Sequence, residues 1–232
     1  MSASYTWLWF DADGTLFDFD QAEGIALEQA FQSLDAPFDG ECLAAYRRIN
    51  QQLWQALERR TITSDVLPVR RFELLLEALQ LPCSPAQLSA AYLEQLALRA
   101  ELVDGALEVL HALRDRYRFA IVTNGLQAVQ RSRLDRSPIR EYIAELIISE
   151  EVGAAKPRPD FFEAAFARLG YPDKSEVLLI GDSLTSDMQG GVGYGLATCW
   201  YNPSGDPRPD DLPITHEITH LRDLLEILDR GD

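Results

Sequence analysis

The sequence predicts an α/β fold: a doubly wound, mainly parallel, Rossmann-like sheet with an all-helical segment inserted after its first strand. Three observations carry this expectation. Five short apolar runs, at residues 6–10, 119–122, 146–148, 177–180 and 197–201, read as strands buried on both faces. Helical patterns separate the later runs, and strand alternating with helix marks a parallel sheet covered by helices. Residues 20–100 break that rhythm, with helical periodicity and no convincing strand.

The elements follow in order. After the first strand, one helix carries Leu27, Ala30, Phe31 and Leu34 on its apolar face. A second carries Leu43, Tyr46, Ile49, Leu53, Trp54 and Leu57, and a third Phe72, Leu75, Leu76 and Leu79. The fourth opens on Ser84, Pro85 and Gln87, a capping box with proline in the first turn. Beyond the insert, Asp104 is expected to N-cap a helix buried through Ala106, Leu107, Leu110 and Leu113. Pro159 suits the start of a helix buried through Phe162, Ala165, Phe166 and Leu169, with Gly170 as its stop. A last helix is expected at residues 221–228, and residues 202–213, rich in Pro, Asp and Gly, read as a surface loop. The expected division is therefore a core at residues 1–18 and 102–232, and a helical domain at 19–101.

Composition narrows the partners. Hydrophobic residues make up 47% of the 232, enough for a sizeable core and too many for disorder. The formal net charge of -16 repels nucleic-acid polymers and anionic membrane surfaces. An anionic small molecule then needs local positive charge, which a divalent metal can provide. Cys42, Cys83 and Cys199 are odd in number and not spaced as metal ligands, so a reduced cytoplasmic protein is expected. The apolar run ending at Phe10 is too short for a signal peptide or a membrane span.

Polar clusters follow four of the five strands directly. They are Asp11-Ala12-Asp13-Gly14-Thr15, Thr123-Asn124-Gly125, Lys156-Pro157, and Gly181-Asp182-Ser183 with Asp187 beyond. In a parallel sheet all four strand ends share one edge, so these residues should converge. Asp11 and Asp13 lie two apart on extended chain and can point the same way. Two carboxylates about 4 Å apart repel by about 4 kcal/mol at an effective dielectric near 20. Asp182 and a phosphate would add to that repulsion. A Mg²⁺ ion held by Asp11, Asp13 and Asp182 relieves it, since Mg²⁺ joins carboxylates to phosphates; Mn²⁺ shares those ligands. Lys156 adds a second positive charge. The alternative reading of Asp-x-Asp-Gly-Thr as a calcium loop fails, because Leu16 and Ala22 stand where Gly and Glu are needed. Each cluster alone could be an ordinary turn or helix cap. Four in order, each after its strand, are hard to reconcile with that.

These four clusters resemble the motifs of the haloacid dehalogenase superfamily of phosphatases. The resemblance implies Asp11 as nucleophile and Asp13 as general acid/base. It implies phosphate binding by Thr123, Asn124 and Lys156, a direct metal ligand in Asp182, and a neighbouring acidic role for Asp187. The helical insert resembles the family's cap domain. Within the superfamily, Asn50-Gln51-Gln52-Leu53-Trp54 and the strings before Lys156 and after Gly195 are similar to the pyrimidine 5'-nucleotidase branch. That implies a small phosphorylated metabolite as partner, a pyrimidine nucleoside 5'-monophosphate; the sequence leaves monomer and homodimer equally open. In the insert, Asn50 lies in phase with the apolar face of its helix and Arg71 with Leu67 and Leu75. With Trp54 they are candidates for substrate choice; a buried amide, a core indole and a snorkelling arginine are the plainer readings. A phosphatase for another small metabolite, such as a sugar phosphate, and a non-catalytic binding protein on the same fold are the competing functions.

Overall fold

The computed structural model describes residues 5–229. Along the chain run β1 (Trp7–Phe10), α1 (Phe19–Ser33), α2 (Gly40–Glu58), α3 (Leu67–Leu79), α4 (Pro85–Ala97) and α5 (Ala106–Leu113). Then come β2 (Arg118–Thr123), α6 (Gln127–Arg136), β3 (Ile143–Ile148), α7 (Ser149–Val152), α8 (Pro159–Arg168) and β4 (Val177–Gly181). A π-helical turn (Leu184–Gln189) leads into α9 (Gly190–Tyr194), β5 (Ala197–Tyr201), β6 (His216–Ile218) and α10 (Asp223–Asp229). The chain forms two compact units. One joins the residues up to Phe19 with those from Ala100 onward, and the other is residues 20–99.

The first unit is built on a six-stranded sheet in the order β3-β2-β1-β4-β5-β6, every pair parallel. The strands are apolar along their whole length because both faces are covered. Alternation then sorts their side chains. Leu8, Phe10, Ile121, Leu178 and Ile180 enter one core layer with α5 and α10. Trp7, Trp9, Val122 and Leu179 enter the other, with Phe161, Phe162 and Phe166 of α8. Each such fully buried side chain contributes about 1.5–3 kcal/mol. The sequence missed β6, whose three residues include only one buried position, Ile218. The expected cap at Asp104 also needs correction. Gly105, at φ +85°, caps α5 without a side-chain bond, and the Asp104 carboxylate instead pairs with Arg222 at 2.6 Å.

The second unit is four helices around a small core. Ser84 caps α4 by accepting from the Gln87 N–H at 3.4 Å, and Asp39 caps α2 through the Cys42 N–H at 2.9 Å. Tyr46, Phe72 and Tyr92 meet with ring centroids 5.4–5.5 Å apart. Among the described residues no helix is long and apolar enough to cross a membrane. Cys42, Cys83 and Cys199 are free thiols.

Candidate active site

β1 lies at the middle of the sheet, between β2 and β4, in register Phe10↔Ile121 and Phe10↔Ile180. The residues after these three strands therefore emerge side by side. Asp11 is fixed by its N–H, which donates to the Ile180 carbonyl at 2.8 Å. The loop then turns tightly, with the Phe17 N–H bonded to the Ala12 carbonyl at 2.8 Å. Gly14 sits at φ +80°, and a Cβ there would stand 2.7 Å from Asp182 Oδ2. Only glycine meets both demands.

Lys156 organises the centre. It is 1% exposed, and its Nζ donates to Asp11 Oδ1 at 2.6 Å, Asp187 Oδ1 at 2.6 Å and the Val122 carbonyl at 2.7 Å. The ammonium's three donors are thereby used. Burial alone would lower its pKa, but Asp11 and Asp187 more than offset this and the pKa rises. Asn124 fixes the backbone that carries it. Its Oδ1 accepts from the Lys156 N–H at 2.8 Å and its Nδ2 donates to the Lys156 carbonyl at 2.9 Å. Thr123 is buried, and its Oγ1 accepts from the Gly125 N–H at 3.0 Å, leaving the hydroxyl hydrogen free to donate elsewhere.

Asp11, Asp182 and Asp187 each bring a carboxylate oxygen within 4.8 Å of the others. Asp187 is held by Lys156 and by the Ser183 N–H at 3.1 Å, on the π-helical turn. Asp182 accepts from the Thr15 hydroxyl at 3.1 Å, and its carbonyl accepts from Trp200 Nε1 at 2.9 Å. Desolvation raises the Asp11 pKa well above the usual carboxylate range against the pull of Lys156, and Asp187 and Asp182 add to the rise. Asp182, which keeps a side toward solvent, is pushed up to about 7 by desolvation first and Asp187 second. With all three carboxylates ionised, the one ammonium leaves a surplus of two negative charges, which a divalent cation with oxygen ligands would relieve.

Asp13, expected beside Asp11 and Asp182 as a metal ligand, keeps its carboxylate outside that trio. Its carboxylate is bonded by Arg133 and by Gln130 Nε2, the latter at 2.6 Å, both from α6. Sequence reasoning named neither partner.

A second polar cluster lies inside the helical unit. Asn50 Nδ2 donates to Glu23 Oε1 and Asn50 Oδ1 accepts from Arg71 Nη1, both at 3.2 Å. Arg47 Nε donates to Glu23 Oε2 at 3.1 Å. The Arg71 guanidinium lies 4.8 Å from the Tyr92 ring, and its buried Nε and Nη2 have no hydrogen-bond partner among the described residues. Trp54 is half-buried and takes no part in these bonds. Glu23 was missed from the sequence, although it shares a helical face with Ala26, Leu27 and Ala30. Burial pushes its pKa up to about 7, against the Arg47 bond. A folded-state pKa above the unfolded one means the folded protein binds more protons between pH 4.5 and 7. The stability this carboxyl contributes is therefore full below about pH 4.5 and lost as pH rises through 7. Urea unfolding of wild type and Glu23→Gln should show the difference between them shifting by about 2–3 kcal/mol over that range. A constant difference would refute the assignment.

Comparison with known proteins agrees with this geometry. The model of the haloacid dehalogenase-like hydrolase family matches residues 6–195. The chain is 38% identical to the pyrimidine 5'-nucleotidase YjjG of Escherichia coli, covering 97% of this chain and 98% of that one. It is 34% identical to the pyrimidine 5'-nucleotidase PynA of Streptococcus pneumoniae, covering 98% and 96%. The structure superposes on the magnesium-bound HAD-hydrolase YfnB of Bacillus subtilis with a TM-score of 0.92 at 35% identity, covering 97% and 99%. With its strand-end motifs gathered at one rim, the chain belongs to the haloacid dehalogenase-like hydrolase family.

Proposed function

We propose that this enzyme is a Mg²⁺-dependent phosphomonoesterase that hydrolyses pyrimidine nucleoside 5'-monophosphates through an aspartyl-phosphate on Asp11. The observation that carries the chemistry is the single buried ammonium of Lys156 bridging Asp11 and Asp187 beside Thr123. The substrate class is supported by the two nucleotidase relatives, each similar over nearly its whole length.

Asp11 attacks phosphorus, forming an Oδ–P bond as the ester P–O bond breaks. Lys156 neutralises charge at the nucleophile, and the Thr123 hydroxyl donates to a phosphoryl oxygen. Asp13 gives a proton to the departing alkoxide. It then takes one from the water that attacks the acyl phosphate, so inorganic phosphate leaves and Asp11 is restored. Asp11 and Asp182 would hold the metal, with Asp187 alongside, and a cation there would supply positive charge for the phosphoryl oxygens. Asn50, Trp54 and Arg71 are proposed to bear on substrate choice, because two N–H groups of Arg71 lack partners that a ligand carbonyl could provide.

The test is a panel of phosphate monoesters assayed with Mg²⁺ and with EDTA. Uridine and thymidine monophosphates should exceed purine nucleotides and sugar phosphates by about tenfold or more in kcat/KM, a discrimination of ~1.4 kcal/mol. EDTA should stop release, and Mg²⁺ should restore it. Equal rates across the panel would remove the pyrimidine assignment, and EDTA-resistant hydrolysis would remove the metal.

A further inference from the structure

Both oxygens of the Asp13 carboxylate are taken by side chains of one helix. Arg133 Nη1 donates to Oδ1, and Gln130 Nε2 donates to Oδ2 at 2.6 Å. Neither donor is a surface group reaching inward: Arg133 is 0% exposed and Gln130 2%. Burying a guanidinium forfeits its hydration, a cost that an apolar side chain would avoid. The arginine gives the Asp13 carboxylate a charged partner.

The surroundings keep that hold in place. The Arg133 guanidinium lies 4.6 Å from the Phe17 ring, and the Phe17 carbonyl accepts from the Gly14 N–H at 2.9 Å. The ring that seats Arg133 thus belongs to the loop that carries Asp13. On the other side, Gln130 reaches Asp13 by passing directly over Gly125. A Cβ at Gly125 would collide with its amide nitrogen and stand 2.8 Å from its Cγ and Cδ. The glycine of the Thr123-Asn124-Gly125 motif therefore serves Asp13, across the site.

We propose that Gln130 and Arg133 are positioning residues that aim the Asp13 carboxyl at the leaving oxygen of the substrate. Resting on the phosphatase reading, this assigns to α6 the orientation of the proton donor. In the first step the P–O bond breaks, and its electron pair stays on the alkoxide, which takes the Asp13 proton. A misaimed carboxyl leaves that alkoxide unprotonated, so the defect depends on how much the leaving group needs the proton.

The experiment compares kcat/KM, which runs only as far as phosphoryl transfer to Asp11, for two kinds of ester. Uridine 5'-monophosphate and glycerol 2-phosphate leave as alkoxides, whereas p-nitrophenyl phosphate leaves as a stable phenolate. Gln130→Met and Arg133→Met should lose about 100-fold on the alkyl esters. They should lose no more than about threefold on p-nitrophenyl phosphate, and Arg133→Lys should recover part of the loss. Gln130→Met gives up one neutral bond at conserved volume, so it reads the effect even if Arg133→Met fails to fold. Parallel losses on all esters, or no loss, would overturn the proposal. A wild type that prefers glycerol 2-phosphate would end the pyrimidine assignment and leave the leaving-group ratio as a valid reading. A wild type that hydrolyses none of the three would end the phosphatase reading and this proposal with it.

Discussion

Asp11→Asn should lower phosphate release by about 10⁴-fold or more, because the amide oxygen is a far weaker nucleophile than the carboxylate. The same substitution should leave the fold intact. Lys156 would keep Asp187 and the Val122 carbonyl as partners, and a carboxyl already strained by burial is removed. Loss of activity with an unchanged or higher unfolding midpoint is therefore the expected pair of results, and it separates a chemical role from a structural one. Chemical trapping of phosphate on the protein should succeed with wild type and fail with the variant. Retained turnover would refute Asp11 as the nucleophile.

Lys156→Met should damage both stability and activity. Its ammonium joins two carboxylates in the interior, and removing it strands both. Breaking a buried pair in this way costs about 3–5 kcal/mol, a large share of the stability of an ordinary domain. Denaturant titration measures the loss, and phosphate release should fall with it. A variant as stable as wild type would show that the bridge is not what holds the carboxylates together. The contrast with Asp11→Asn is informative because the two substitutions remove opposite ends of one 2.6 Å contact.

Much of this arrangement was legible in the sequence, and the reason is physical. Strands covered on both faces must be apolar throughout, so β1, β2, β4 and β5 stood out as runs, and the polar residues just after them marked the functional edge. Gln130 and Arg133 escaped notice because α6 has no apolar stripe to betray its phase. Its buried positions are Val129, Gln130, Arg133 and Leu134, half of them polar. Glu23 could have been found, since a charge repeating at i+3, i+4 and i+7 with Ala26, Leu27 and Ala30 points inward. The Asp104 cap was misjudged for want of the competing partner, Arg222, more than a hundred residues away. Pairing across such a distance leaves no local pattern.

The central place of β1 bears on how the chain is made. Translation releases Trp7–Phe10 before its partners, and Val177–Ile180 on one flank must wait for roughly 170 further residues. At ribosomal speeds that is about ten to thirty seconds in which four consecutive large apolar side chains lack their strand on that flank, with β2 on the other arriving after about 110 residues. The helical unit, whose contacts are local, can condense meanwhile. Biogenesis should therefore depend on shielding β1, and synthesis without chaperones should yield aggregate nucleated there.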